Sequence, residues 1–269
     1  MKKILILVSL FTALFATAQP QDTLYVWKAG QLVIKQSIKT VDMDSITFKR
    51  PTPIITPNQV IICSQVWATK NLNVTTYSDG APIPQVTSPI DWQNLSTGAW
   101  CYYNNDPASE AVYGKLYNWY AAAGIYDAAS AANPALRKKL APVGWHVPTD
   151  SELSTLINCL DPDADGGNTF PNTAGGKMKS TGTLQAGNGL WQTPNTDATN
   201  ESGFTAFPGG IRTNGGTFDG LSLGGCWWSS SENGPTTAWV RLLGYGYGTA
   251  SRGGNENKKY GYSVRCVRD

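Results

Sequence analysis

From Gly166 to Asp269 the chain contains no segment of good helical quality, and this restricts its fold more than any other feature. Short apolar or aromatic runs alternate there with clusters of Gly, Asn, Ser and Pro. That is the pattern of short strands joined by turns. Trp239-Val240-Arg241-Leu242-Leu243 and Tyr260 through Val267 are the best strands. Helical spacing is confined to the preceding part. In Ala111 to Ala123 the apolar residues Val112, Leu116, Trp119, Tyr120 and Ala123 fall on one helical face, with Gly124 as a stop and Gly114 weakening the first turn. The second helix has a clearer start. Thr149 and Glu152 have the S/T-x-x-E spacing of a capping box, and Leu153, Leu156, Ile157 and Leu160 follow as an apolar stripe. Two helices followed by a loop-rich β half predict an α+β fold.

The beginning of the chain reads differently. Lys2 and Lys3, the apolar run Ile4 to Phe15 and the small residues Ala16-Thr17-Ala18 have the order of a secretory signal, which places the mature start at Gln19. The apolar run is shorter than the roughly 20 residues a membrane span needs, and no later stretch comes closer. No cysteine stands beside the cleavage site, so no lipid anchor is expected. Residues 19–50 are expected to form a short β unit: Leu24 to Trp27, a turn at Lys28 to Gln31, Leu32 to Ile34, and a further strand at Ile46 to Phe48. Three prolines in residues 51–58 mark a linker, which leaves residues 59–269 as the main domain.

Removing the signal removes two lysines and leaves equal numbers of basic and acidic residues. Such a balance argues against nucleic acid as a partner, because phosphate binding needs a basic excess. With 10 Trp and 12 Tyr but only 15% charged residues, the chain is suited to aromatic packing and not to disorder. Its 5 cysteines allow disulfides in an exported protein, and the odd number leaves at least one outside any internal pair.

Several segments taken together carry a resemblance. They include Gln65 to Leu72, Gly114 to Tyr120, Gly144 to Asp150, Ser202-Gly203-Phe204, Pro208-Gly209-Gly210, Trp227-Trp228-Ser229-Ser230 and Ser263 to Asp269. In this order they resemble the Fibrobacter succinogenes major paralogous domain, a family of exported bacterial proteins that looks related to C-type-lectin-like and formylglycine-generating-enzyme-like folds. The resemblance implies two helices packed on small antiparallel sheets, with a long loop region as the ligand surface. It supplies no activity, since fold alone does not.

The oxidase chemistry of the formylglycine-generating relatives needs two reactive cysteines close together near the chain's end. Cys226 and Cys266 stand far apart in sequence, so that motif is missing, and Cys266 is expected to be a disulfide or a buried thiol. The single histidine, His146, lies between Trp145 and Val147 and is expected to be packed and hydrogen-bonded. No acidic pair stands out for glycoside hydrolysis. Asp161, Asp163 and Asp165 before Gly166 repeat the first half of an EF-hand loop, which makes calcium the candidate ion, although Asn172 replaces the closing Glu. The calcium and sugar motifs of lectins, Glu-Pro-Asn or Gln-Pro-Asp with a later Trp-Asn-Asp, are absent.

The segment from Gly224 to Lys259 has the Tyr, Trp, Ser, Gly and Asn composition of binding loops. Ser230, Glu232, Asn233, Trp239, Arg241, Tyr245, Tyr247, Arg252 and Asn255 are its candidate ligand contacts, while Trp227 and Trp228 are expected in the core. The segment also resembles the diversified region of retroelement variable proteins in position and composition. The resulting expectation is a non-catalytic recognition module that is secreted, periplasmic or on the cell surface and binds a glycan or an envelope protein. A structural envelope component and an oxidase- or glycosidase-type enzyme are the alternatives.

Overall fold

The computed structural model describes residues 22–28, 31–38 and 59–269, and the chain divides into two compact units, Met1–Ile55 and Thr56–Asp269. The expected signal (1–18), the expected strand Ile46 to Phe48 and the expected linker (51–58) lie outside the described residues. In the first unit, strands β1 (Asp22–Lys28) and β2 (Gln31–Ile38) pair antiparallel, with Asp22 opposite Ile38 and a bulge between Val26 and Trp27.

The second unit mixes short helices with small sheets, as an α+β fold does. Strands β3 (Gln59–Ile62) and β4 (Gln65–Ala68) form a hairpin. Helix α1 (Pro89–Gln93) leads to β5 (Trp100–Cys101), and helix α2 (Glu110–Tyr113) leads to β6 (Leu116–Tyr117). Short helices α3 (Trp119–Ala122) and α4 (Ala128–Ala132) precede β7 (Trp145–His146). Helix α5 (Asp150–Leu160) is followed by α6 (Ala174–Met178). Then come β8 (Gly209–Arg212), β9 (Phe218–Leu221), β10 (Gly224–Glu232), β11 (Thr237–Gly244), β12 (Ala250–Asn257) and β13 (Val267–Arg268). One sheet has the order β3-β4-β13-β7, so the unit's first and last strands lie together. A larger sheet runs β12-β11-β10-β8-β9, antiparallel except where β10 meets β8.

Helix α5 starts where the sequence places it. Thr149 accepts from the Glu152 amide, Glu152 reaches back to the Thr149 amide, and Leu153, Leu156 and Ile157 are buried. The helix expected over 111–123 is a correction. Gly114 adopts φ 73 and ψ −154 and approaches so closely that a Cβ there would lie 2.9 Å from the Leu72 carbonyl oxygen. The chain therefore leaves the helix, pairs Leu116–Tyr117 with Trp100–Cys101, and re-enters at α3 under an Asn118 cap. Tyr260 to Val267 is likewise no single strand. Gly261, Tyr262 and Ser263 bridge Arg212, Tyr117 and Trp227 in turn, so this segment threads the core and touches several elements. The region from Gly224 to Lys259 is mostly the antiparallel trio β10-β11-β12 and not a loop.

Alternation along β10 sends neighbouring tryptophans into different cores. Trp228 joins Tyr117, Trp119, Val240 and Tyr262, whereas Trp227 joins Trp67, Ile157, Trp191 and Phe204. Both are fully buried, and truncating such a side chain costs about 3–5 kcal/mol. A disulfide joins Cys63, after β3, to Cys159 near the end of α5, while Cys101, Cys226 and Cys266 are buried free thiols.

Buried cations fasten the irregular segments. Arg265 donates to the carbonyls of Ala68, Phe204 and Thr205 and to Asn71 Oδ1. Arg212 donates to Val86, Thr87 and Gly216 carbonyls and lies 4.3 Å from the Trp92 ring centre. Lys179 donates to the carbonyls of Thr196, Gly244 and Tyr247 at 2.8–2.9 Å. A loop-rich fold leaves carbonyls without ladder partners, and a buried one must be satisfied. These three side chains meet that need without a carboxylate in ion-pair range among the described residues.

Candidate functional site

The face of the large sheet that carries Trp228 and Val240 is covered by core at that level, and the cover ends further along the same strands. The cross-strand pairs Cys226–Leu242 and Gly224–Gly244 continue the face and border a cavity of about 300 Å³. Gly210 and Gly220 extend its floor on β8 and β9, while Ile211, Leu223 and Tyr245 are apolar walls. Glycine at these positions leaves space where side chains would stand. Tyr247 folds back onto Gly244 so closely that a Cβ there would lie 2.4 Å from the ring. The ring therefore lies against backbone and remains 38% exposed, and Phe170, 68% exposed, meets it at 6.2 Å in an edge-to-face contact.

Asp219 is the charged residue of this lining. One carboxylate oxygen accepts the Gly220 amide, and no cation forms an ion pair with it among the described residues. Burial raises the Tyr247 hydroxyl above its usual range, with Cys226 as a smaller cause. Burial, followed by Glu256, pushes the Cys226 thiol up to about 12. Both groups stay protonated at neutral pH. The cavity is thus apolar, neutral except for one carboxylate, and equipped with an aromatic platform.

The nine residues expected to contact ligand fall in separate places. Tyr245 and Tyr247 meet at this cavity. Arg241 is only 1% exposed and unavailable at the surface: Asp150 Oδ1 holds it at 2.7 Å, and Ser154 Oγ takes a second bond. Arg252 grips the same Asp150 carboxylate at 2.6 Å and lies 3.5 Å from the Trp239 ring centre, so both are held on the β11–β12 surface. Burial alone would raise the Asp150 carboxyl, but hydrogen bonds from Arg252 and Arg241 outweigh it and hold it below the usual range. Asn233 donates to the Gly254 carbonyl, and Asn255 is exposed on β12. Glu232 pairs with Arg137 at 2.9 Å and Lys258 at 3.4 Å.

Ser230 belongs to a second cavity of about 290 Å³, bordered also by Arg137, Lys139, His146 and Thr149. His146 is hydrogen-bonded as expected, with Nδ1 2.7 Å from Asp269 and Nε2 2.8 Å from Glu152. Burial works against its protonation, yet the bonds to Asp269 and Glu152 prevail and raise its pKa. A histidine held at both nitrogens is poorly placed to act as a base.

The EF-hand-like aspartates are not gathered into a three-carboxylate cluster among the described residues. Asp161 caps the turn Pro162–Gly167 and accepts from the Thr173 amide and hydroxyl as well as from the Asp163 amide. Its oxygens are therefore directed to protein donors. Among the described residues no group of three His, Cys, Asp or Glu side chains is arranged to hold a metal ion.

Asp219, Leu223, Phe170 and the glycine floor escaped the sequence reading. A Gly-rich stretch around Gly220 to Gly225 was the available signal, but the parallel β8–β10 contact that makes it one surface is not local. Comparison with known proteins gives one match: the model of the Fibrobacter succinogenes major domain covers residues 60–268. No curated protein and no solved structure matches the chain.

Proposed function

The chain belongs to the Fibrobacter succinogenes major domain family, and from that premise we propose that it is an exported, non-catalytic recognition module that holds a glycan in the Tyr247 cavity. The observation that carries this reading is the exposed Tyr247 ring, backed by Gly244, beside a glycine-floored apolar surface. The apolar face of a sugar ring stacks on such a platform, and Asp219 accepts from its hydroxyls. Ligand sites of this kind combine mostly apolar walls with few polar groups.

A C-type-lectin-like architecture is part of the same reading. It is supported by β3, β4 and β13 sharing a sheet and by long connections feeding the larger sheet. Absence of catalysis is supported by the thiols: burial pushes Cys226 and Cys266 up to about 12, where neither supplies a thiolate at neutral pH. Export rests on the Lys2-Lys3, Ile4–Phe15 and Ala16–Ala18 pattern.

A glycan array probed with the purified mature chain tests the reading. Binding to defined glycans, lost in Tyr247→Ala with folding retained, is the expected result. Binding that survives Tyr247→Ala unchanged would move the ligand elsewhere.

A further inference from the structure

Lys115 differs from the other buried cations because it touches a side-chain amide and a carboxylate together. Its Nζ contacts Oδ1 of Asn73 and lies 2.6 Å from Oε1 of Glu110. Glu110 in turn hydrogen-bonds the Asn73 side chain and Tyr102. The Lys115 side chain is 2% exposed, and the rings of Trp100 and Tyr102 lie 4.8 and 5.2 Å from Nζ. An amine, an amide and a proton carrier thus form a closed triangle with water largely excluded from the amine.

We propose that Lys115 and Asn73 form an intramolecular isopeptide bond, with Glu110 as the proton carrier. In this step the Nζ–Cγ bond forms and the Cγ–Nδ2 bond of Asn73 breaks. Glu110 accepts a proton from the Lys115 ammonium, which frees the lone pair that attacks Cγ. The attacking nitrogen gives up a second proton as the amide forms. Both protons leave with Nδ2 as an ammonium ion, and Glu110 ends ionised as it began. Nothing is oxidised or reduced. The hydrogen bond to Lys115 holds the Glu110 carboxyl below its usual range, so it starts ionised, with an oxygen in contact with the proton it takes. Asn73 is exposed, which gives ammonia an exit. Holding the reactants in contact replaces a slow encounter by a unimolecular step. The product would tie the loop after β4 to the start of β6 by a covalent link that spans 42 residues of chain.

Peptide mass spectrometry of the full chain tests this. Trypsin has no site between Lys70 and Lys115, so the bond should leave Lys115 uncut and yield a fragment from Asn71 to Arg137 lighter by one ammonia. Chymotrypsin, which cuts at the intervening aromatic residues, should release a branched peptide joining the Asn73 and Lys115 segments. Whole-chain mass alone is insufficient, because an N-terminal Gln19 also loses ammonia when it cyclises. Glu110→Gln, shown by circular dichroism to be folded, should lose the branched peptide. Cleavage after Lys115 with an unmodified Asn73 would overturn the proposal and leave an ion pair only. Loss of ammonia confined to the Asn73 peptide would overturn it too. A branched peptide formed equally in folded Glu110→Gln would remove Glu110 from the mechanism.

Discussion

Two regions of the large domain bury arginine in opposite ways. Beside α5, Arg241 and Arg252 share the Asp150 carboxylate, whereas Arg265, also fully buried, is held by three carbonyls and Asn71 with the Phe204 ring 4.5 Å away. The first arrangement joins a helix to strands through charges that titrate. The second joins loops to the core through carbonyl and amide acceptors that do not. An acid-sensitive contact and an acid-insensitive one thus coexist in a single fold. Lys179 belongs to the second kind, but its ammonium can lose a proton, and burial brings its pKa down to about 8.

The largest effect is expected at Arg265. Arg265→Met keeps much of the volume but strands several buried acceptors, and such losses cost about 3–5 kcal/mol. Guanidinium unfolding should show that drop at pH 7 and at mildly acidic pH alike. A cost that disappears on acidification would mean that a carboxylate controls this site after all.

Lys179 comes next, and its sign is opposite to that of an ion pair. Its folded pKa lies below the unfolded value of about 10.4, so between pH ~8 and ~10.4 the unfolded chain holds more protons and stability rises with pH. The free-energy gap between wild type and Lys179→Met should widen by roughly 3 kcal/mol across that window, at 1.36 kcal/mol per unit. A constant gap would show that the ammonium is better solvated than its full burial implies.

Asp150→Asn should cost about 2–3 kcal/mol, a value discounted from a fully buried pair because Arg252 reaches solvent. Here the folded pKa is depressed. The contribution is present above the unfolded value of about 3.9 and is lost as pH falls through the folded value. Urea unfolding at stepped acidic pH should therefore bring wild type and Asp150→Asn together, while Arg265→Met stays apart. Convergence of all three would erase the contrast between the two regions. The smallest effect is expected at Tyr247→Ala, where partial exposure limits the stability change to about 0.5 kcal/mol. A much larger loss, read from thermal unfolding, would make that ring part of the core and withdraw it from the proposed ligand surface.

These contrasts also explain which parts of the fold could be read in advance. Helix α5 was legible because its capping box and apolar stripe are contained in a dozen consecutive residues. Residues 111–123 were not, since the break at Gly114 is imposed by Leu72, distant in sequence, and the segment's apolar spacing arises from two short helices and a strand. At the site, Tyr245 and Tyr247 could be found from composition. Arg241 could not be excluded from the surface, because its partner Asp150 lies 91 residues away. The glycine-rich floor became a surface only when β8 and β10 met in parallel.

That floor also determines how easily the shape of the cavity can change. Gly210 and Gly220 sit at positive φ, and a Cβ on Gly244 would strike Tyr247. Gly224 is different: its backbone is ordinary, and a Cβ there would make a normal 3.5 Å contact with the Leu243 carbonyl oxygen. It shares the face of Cys226, so Gly224→Ala or Gly224→Ser would make the cavity shallower with little strain. One nucleotide change turns any glycine codon into an alanine codon. Selection can therefore adjust the shape of the cavity at Gly224, in small steps, while the rest of the scaffold stays fixed.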